Sequence, residues 1–281
     1  AKDIRVVVVK LVDRVHNMRT LEYQNAEKQR LIAQETLDLY APLAHRMGMY
    51  RIKAELEDIS LKFLDNEKYE EVCSLVKEQR KAREEDINRM KDRIEEILKS
   101  NRINGYEIKG RVKNIFSVCK KMEQKDLEFE QIYDLLAVRI LVPTVENCYH
   151  ALGLMHGEWN PIPMRFKDYI ATPKPNLYQL LHTTVVGLRG KIYEIQIRTN
   201  EMDQIAEYGI AAHWAYKENS NKAPMTEMVS KKLKWYGDLI KFTEETDSEE
   251  EVLNLLRDDI FNSNVYVFTP DGDIIDLPKG S

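Results

Sequence analysis

The chain has 281 residues, of which 43% are apolar and 32% are charged, and its formal net charge is −5. This length suits one large domain or two to three smaller ones, and the acidic balance argues against a general affinity for duplex nucleic acid. Because no apolar run reaches membrane-spanning length and no signal peptide is recognisable, we expect a cytoplasmic protein without a membrane contact.

Residues 1–64 are predicted to be helical. A run of four valines favours a strand there, whereas the apolar residues as a group recur at helical spacing, and we give more weight to the spacing. Two further helices are predicted at about 29–46 and 50–64. The apolar residues that set the first pattern are Ile4, Val7, Val8, Leu11 and Val15.

Residues 65–100 are predicted to form one long helix at the surface or between domains. The segment is densely charged with alternating sign, which is typical of a solvated helix. The segment contains only a thin apolar stripe, formed by Ile87, Met90, Ile94 and Ile97.

The composition changes near residue 101, where NRING is a turn signal. Helical stretches are predicted at about 114–125 and 145–157. Alternation of short strands with helices predicts an α+β fold with a mixed sheet and helices packed on it. The predicted strands lie in the segments YEIKGRV, LLAVRILV, TTVVGLR and KIYEIQIRT.

The last third of the chain is predicted to be helical to about residue 242, with EETDSEEE as a solvated acidic tether. In the final segment, apolar and polar residues alternate on both sides of a Pro-Asp-Gly turn, which predicts a β-hairpin. The predicted division of the chain is a helical region, a helical connector, the sheet domain, a linker and the hairpin, at 1–64, 65–100, 101–220, 221–262 and 263–281.

Basic residues flank a strand-to-helix junction in the segment GRVKNIFSVCKK, with Ser117 in the first turn of the helix. Cations near a helix N-terminus suit phosphate oxygens, because the helix dipole and the amide groups add to the attraction. The alternative is a solvated basic face. The cations in question are Arg111, Lys113, Lys120 and Lys121.

Two carboxylates stand out among the predicted strands. Asp134 opens the strand DLLAVRILV, and Glu194 lies between apolar neighbours in YEIQIRT. A buried carboxylate needs a partner, which could be a metal ion shared by both residues. The alternative is that each pairs with a nearby arginine, for example Arg139 or Arg198.

The segment RFKDYIATPKPNLYQLLHTTVVG leads into a strand and is rich in hydrogen-bond donors. Lys174, Asn176 and His182 could bind phosphates or a sugar, and Tyr178 could either stack on a base or cap the sheet edge. The sequence contains no GxxxxGK[ST], GxGxxG, GxSxG or HExxH motif. The residues therefore indicate a metal-dependent site for a phosphorylated ligand that carries a base.

Several ordered segments resemble RelA/SpoT-type bifunctional (p)ppGpp synthetase/hydrolases. The synthetase domain is matched by GRVKNIFSVCKKM, YDLLAVRILV, RFKDYIATPKPNLYQLLHTTV, EIQIRT and AEYGIAAHWAYKE. Upstream, VKLVDRVHNMRT and YAPLAHRMGMYRIKAELED resemble the end of an HD-type hydrolase domain. Downstream, VYVFTPDGDIIDLPKG resembles the start of a TGS domain, so the chain is expected to be truncated at both ends.

The resemblance implies a GTP pyrophosphokinase of the stringent response, with a nucleotidyltransferase-like sheet. Such an enzyme transfers the β,γ-diphosphate of ATP to the 3′-hydroxyl of GDP or GTP and uses Mg²⁺. Asp134 and Glu194 match its metal ligands, and Glu194 also matches the candidate base. Matched ATP contacts are Arg111, Lys113, Ser117, Lys121 and Arg139, of which the two arginines sandwich adenine.

For the acceptor nucleotide, the resemblance implies stacking of guanine on Tyr178. The other matched acceptor contacts are Lys174, Asn176, His182 and Gln196. Arg165, Lys167 and Asp168 match an RxKD signature that is similar to the one in bifunctional members, with a plain surface turn as the alternative. A non-catalytic, guanine-nucleotide-binding regulatory fragment is the rival function.

The hydrolase half is expected to be inactive. Asp13 matches one ligand of the Mn²⁺ that the family's hydrolase uses, and Asn17 matches a nearby site residue, but no histidine precedes Asp13. The apolar face of the incomplete helical domain could mediate self-association. Contact with tRNA or the ribosome is expected only through domains that follow this chain in the family.

Overall fold

The computed structural model describes residues 5–111, 114–126, 129, 137–172, 178–209, 212, 264–268 and 274–278. The N-terminal region is helical, as predicted. Within the described residues, no helix is both long and apolar enough to cross a bilayer. The four helices of this region are α1 (Arg5–Arg19), α2 (Ala26–Glu35), α3 (Ala41–Arg46) and α4 (Tyr50–Leu64).

The conflict over the valine run is resolved in favour of the helix. Leu11 and Val15 of α1 are buried, whereas Val9 and Val12 are 65% and 53% exposed. An amphipathic helix buries one face in this way, while a strand would bury alternate residues. The buried face packs with Met18, Leu21, Ala33, Leu43 and Leu56 in the core of the helical region.

The predicted helix at 29–46 is interrupted. A π-helical turn at Thr36–Tyr40 separates α2 from α3, which has Pro42 in its first turn. Proline has no amide N–H for the regular helical bond and crowds the preceding turn, so a local widening of the helix is a physical consequence.

The long charged helix is present as α5 (Asn66–Ser100), and Asp65 caps its start by accepting the Lys68 N–H at 3.1 Å. Its thin apolar stripe is more than a surface feature. Met90 and Ile94 are fully buried against the sheet and α7 (Val145–Glu158). The second half of α5 therefore belongs to the core of the sheet domain.

The sheet is mixed, as predicted. The strands are β1 (Glu107–Arg111), β2 (Ala137–Val142), β3 (Asn160–Pro161), β4 (Lys167–Asp168), β5 (Leu181–Val186) and β6 (Ile192–Thr199). Their order is β1-β2-β6-β5-β3, with β4 also paired to β5. β2 and β6 are parallel, and the other pairs are antiparallel. The two short strands β3 and β4 were not predicted.

One face of this sheet is apolar and carries the core. Val138, Ile140, Ile195 and Ile197 are fully buried there beneath α5 and α7. Because side chains alternate along a strand, the residues between them point to the opposite face. On that side, α8 (Asn200–Tyr208) packs against β2 and β6, whereas α6 (Ile115–Lys125) packs against α4 and α5.

The helical region contacts the end of α8 through the segment that joins α3 to α4 and through the first turn of α4. Arg51 donates to the Tyr208 hydroxyl at 3.3 Å. Gly209 follows with a φ of +58°, and a Cβ there would lie 2.2 Å from the carbonyl oxygen of Met47. Only glycine combines this backbone conformation with so close an approach.

The predicted C-terminal hairpin is present as two antiparallel strands, β7 (Asn264–Phe268) and β8 (Ile274–Pro278). Its assignment to a TGS domain stays a prediction, as do the predicted domain limits. The predicted linker at 221–262 lies outside the described residues.

Candidate active site

The face of the sheet opposite the core carries two rows of mostly polar side chains. Cross-strand partners share a face, so the members of a row are neighbours. We call these two rows the polar face. The first consists of Arg111, Ala137, Glu194 and Thr184, and the second of Lys109, Arg139, Gln196, His182 and Lys167.

Glu194 is the single carboxylate in these rows, and only 8% of the residue is exposed. Its Oε1 accepts a hydrogen bond of 2.5 Å from Nε2 of Gln196. Nε2 of His182 lies 3.3 Å from Oε2, and a guanidinium nitrogen of Arg111 lies 3.8 Å from Oε1. Burial raises the pKa of Glu194, but these neighbours outweigh it and hold the pKa below its ordinary value.

An ionised carboxylate at this position suits a hard divalent cation, which prefers oxygen ligands. The predicted second ligand, Asp134, lies outside the described residues. Among the residues that the structure does describe, no group of three or more His, Cys, Asp or Glu side chains could hold a metal ion. The role of Glu194 as a metal ligand stays a prediction.

Arg139 and Arg198, named as examples of an arginine partner, bind carboxylates other than Glu194, whereas Arg111 lies 3.8 Å from Glu194. Arg139 donates to Asp203 at 3.1 Å and to Glu207 at 3.0 Å. The Nε of Arg198 donates to Asp203 at 2.8 Å. Both carboxylates lie on α8, so these bonds hold α8 against the sheet.

Asp203→Ala is expected to lower the free energy of unfolding by about 3 kcal/mol. The variant removes a carboxylate that compensates the fully buried Arg198 guanidinium for its lost hydration. Urea unfolding followed by circular dichroism measures the change. Glu201→Ala, an exposed position on the same helix, is the matched control and should change little. A loss below about 1 kcal/mol at Asp203 would contradict a stabilising role for this network.

The two predicted adenine-binding arginines lie on the same face but differ in availability. The side chain of Arg111 is 39% exposed, whereas that of Arg139 is 12% exposed and bound by α8. Stacking on adenine uses the face of a guanidinium group, so Arg139 can keep its in-plane bonds to Asp203 and Glu207. Their adenine role stays a prediction.

The helix α6 carries two predicted ATP contacts, Ser117 and Lys121, in the positions expected from the sequence. The sequence analysis expected the free amides at the N-terminus of α6 to attract phosphate, and the structure corrects this expectation. Oδ1 of Asp58, on α4, accepts the N–H of Phe116 at 2.8 Å. A carboxylate from the protein itself thus occupies part of the helix end, so fewer backbone amides remain there for a phosphate. Lys113 lies outside the described residues.

Tyr178 lies between the helical region and the polar face. Its ring centroid is 5.0 Å from that of Tyr50 on α4, at a tilt of 56°. The guanidinium carbon of Arg198 lies 5.9 Å from the centroid of Tyr178. An aromatic ring beside a cation is a suitable surface for a nucleobase. Lys174 and Asn176 lie outside the described residues.

Asp168 of the predicted RxKD signature ties down the start of the loop that precedes β5. Its Oδ1 accepts the N–H groups of Ile170 and Ala171 at 2.9 and 2.8 Å. Its Oδ2 accepts the hydroxyl of Tyr149 at 2.9 Å. Lys167 is exposed in the row with His182, and Arg165 is also exposed.

Comparison with known proteins places these features in a family. Residues 110–221 match the model described as a region found in RelA / SpoT proteins, and residues 1–50 match the HD domain model. Over its whole length the chain is 48% identical to the probable guanosine-3′,5′-bis(diphosphate) 3′-pyrophosphohydrolase of Synechocystis. It is 46% identical to the GTP pyrophosphokinase of Myxococcus xanthus, again over its whole length. The chain belongs to the RelA/SpoT family.

This RelA/SpoT chain spans 37% of the length of each of those two curated relatives. Among solved structures, small alarmone synthetase 2 from Bacillus subtilis is 24% identical, with coverage of 65% of this chain and 98% of that chain. The TM-score is 0.40, which is too low to establish a common fold.

In the HD-matching part of the RelA/SpoT chain, Asp13 and Asn17 lie one helical turn apart. Nδ2 of Asn17 donates to Oδ2 of Asp13 at 3.2 Å, and both side chains are exposed. No group of three metal-ligating side chains surrounds them among the described residues. Their roles, and the expected absence of hydrolase activity, stay predictions.

Sequence reasoning missed the acidic partners of the site. Asp203 and Glu207 are four residues apart on α8, and this spacing on a helix directly after β6 was an available signal. Asp58 had no comparable signal, because it meets Phe116 across 58 residues of sequence. Tyr50 was missed for the same reason.

Proposed function

We propose that this RelA/SpoT chain is a GTP pyrophosphokinase, which transfers the β,γ-diphosphate of ATP to the 3′-hydroxyl of GDP or GTP. The observation that carries the proposal is the buried, ionised Glu194 among cationic and amide side chains on the polar face. Two nucleotides bring many negative charges together, and the surrounding cations offset their repulsion. The name of the Myxococcus xanthus relative agrees with this activity.

The ATP half of the site would lie between β1 and α6. Arg111 and Arg139 would bind adenine from the polar face, a stacking role that suits the planar guanidinium group. Lys113, Ser117 and Lys121 would bind the phosphates. The support is that Arg111 ends the strand β1, and α6 begins four residues later.

The acceptor half would lie at the other side of Glu194. His182 and Gln196 are register partners on β5 and β6, and Tyr178 precedes β5 by three residues. Tyr178 would stack on guanine, while His182, Gln196, Lys174 and Asn176 would contact the rest of the nucleotide.

In the reaction, the 3′-oxygen of the acceptor attacks the β-phosphorus of ATP. A new P–O bond forms there, the bond from that phosphorus to the α,β-bridging oxygen breaks, and AMP leaves with that oxygen. Glu194 is the candidate acceptor of the hydroxyl proton, although its lowered pKa makes it a weak base. Positioning and charge neutralisation therefore carry most of the catalysis.

A bound Mg²⁺ would neutralise phosphate oxygens, and Glu194 and Asp134 would hold it. The support for the pair is that Asp134 precedes Ala137 by three residues in the sequence, and Ala137 is the register partner of Glu194. A site for the Mn²⁺ of a hydrolase would need ligands besides Asp13.

The experiment that tests this function is incubation of the chain with ATP, Mg²⁺ and either GDP or GTP, followed by separation of the nucleotides. The proposal expects AMP to form in equal amount with a guanosine nucleotide that carries two further phosphates. Binding of guanine nucleotides without AMP formation would instead support the non-catalytic regulatory alternative.

Asp168→Ala is expected to raise the acceptor KM about tenfold, because it releases two backbone amides and a tyrosine at the start of the acceptor loop. Asp168→Asn keeps an oxygen for the amides and should have a smaller effect. Initial rates at varied GDP concentration measure the change. An unaltered acceptor KM in the alanine variant would refute the role of Asp168 in positioning the loop.

A further inference from the structure

The N-terminus of α6 is capped from another part of the chain. Asn114 occupies the N-cap position with extended backbone angles, yet its side chain makes no capping bond. Oδ1 of Asp58 accepts the Phe116 N–H at 2.8 Å instead, and the adjacent Ile115 amide lowers the pKa of Asp58. These two amides lie in the first turn, where a helix leaves its donors unsatisfied.

The cap is a partly buried contact between α4 and α6. Desolvation raises the pKa of Asp58, and the amide donors oppose that rise. The neighbouring Glu57 is 7% exposed, binds Lys53 at 3.1 Å, and accepts from Asn114 at 3.4 Å. A carboxylate in such surroundings is tolerated only when bonds compensate for lost hydration. Asp58 therefore fixes where the first turn of α6 lies against α4.

The two elements have different roles in the molecule. Leu56 of α4 is fully buried in the core of the helical region, and Ile52 and Ile59 pack against that core. α6 carries Ser117 and Lys121, the proposed phosphate contacts of ATP. We infer that Asp58 is a positioning residue, which holds α6 and its phosphate contacts in register with the polar face and ties them to the helical region. This inference rests on the proposed function.

The position of Asp58 predicts an effect on one nucleotide only. Asp58→Ala removes the acceptor at the start of α6, so we expect the KM for ATP to rise about tenfold. The acceptor loop begins at Asp168, and none of its described residues bonds to Asp58, so the KM for GDP should stay within about twofold. A general loss of stability would not separate the two KM values.

A matched control exists on another helix. Asn25 caps α2 by accepting the Lys28 N–H at 2.9 Å, and no proposed nucleotide contact lies on α2. Asn25→Ala therefore removes the same kind of bond and should leave both KM values unchanged. Asp58→Asn keeps an oxygen that accepts the amides, and its KM for ATP should rise no more than about threefold.

Hydrogen exchange provides a readout that is independent of activity. In Asp58→Ala, the amides of Ile115 and Phe116 should lose protection, while amides of β6 keep theirs. Unchanged protection at these two amides would overturn the cap itself. Lost protection with an unchanged ATP KM would overturn the positioning role.

Failure of the proposed function can be distinguished from failure of this inference. If the wild-type chain forms no AMP, the proposed function fails, while exchange and direct ATP binding still report on Asp58. If Asp58→Ala does not fold, Asp58→Asn serves in its place. Partial loss of protection should then accompany a proportionate rise in the ATP KM, and loss of protection without that rise contradicts the inference.

Discussion

Replacing Glu194 with glutamine is expected to reduce the rate of AMP formation at least about a hundredfold at saturating nucleotide concentrations. The substitution preserves shape but removes the only negative charge in the two rows of the polar face. Both proposed roles of Glu194, as a metal ligand and as the proton acceptor, require that charge. The pKa below the ordinary value means that the wild-type side chain is ionised across the neutral range.

The control for this variant is Glu158→Gln. Glu158 ends α7 and pairs with Arg93 at 2.8 Å, so it carries the same charge on an element of the opposite face. Its loss should leave the rate within about twofold. Circular dichroism should show that both variants fold. A Glu194→Gln variant that keeps more than a tenth of the wild-type rate would remove Glu194 from the chemistry.

The second large effect is expected from Tyr178→Ala, which should raise the acceptor KM about 5- to 150-fold. This range corresponds to the roughly 1–3 kcal/mol that stacking of a base on an aromatic ring contributes. The ring of Tyr178 also contacts Tyr50 and lies near Arg198. Guanine would therefore enter a place already formed by aromatic and cationic groups.

Two further variants separate stacking from other effects. Tyr178→Phe keeps the π-face and should leave the acceptor KM within about threefold. Tyr23→Ala removes a tyrosine that is 82% exposed in the helical region and should change neither KM. The KM for ATP should be nearly constant in all three variants. An unaltered acceptor KM in Tyr178→Ala would refute the stacking role.

Periodicity predicted the elements well where one face of an element is buried. Leu11 and Val15 identify α1 against the β-propensity of its valines, because burial of one helical face outweighs local preference. In β6 the alternation separates residue types, with apolar Ile195 and Ile197 on one face and polar Glu194 and Gln196 on the other, although both faces are buried. The short strands β3 and β4 were not predicted, because a strand of two residues is too short to show an alternation of apolar and polar residues.

Partners within the site were not predicted from the sequence. Glu194 was identifiable as a buried carboxylate from its apolar neighbours, but its surroundings depend on the register of β1 and β5 against β2 and β6. Competition between carboxylates decided which arginine pairs with which acid. Asp203 and Glu207 bind Arg139 and Arg198, and a single strand sequence contains no information about that outcome.

A crystal structure of the chain with a non-hydrolysable ATP analogue, GDP and Mg²⁺ tests the central claim most directly. The account predicts guanine against the ring of Tyr178, the ATP phosphates against Ser117 and Lys121, and the 3′-hydroxyl of GDP beside the metal ion at Glu194. Nucleotides bound away from the polar face, or a Glu194 carboxylate that contacts neither metal nor the 3′-hydroxyl, would contradict it.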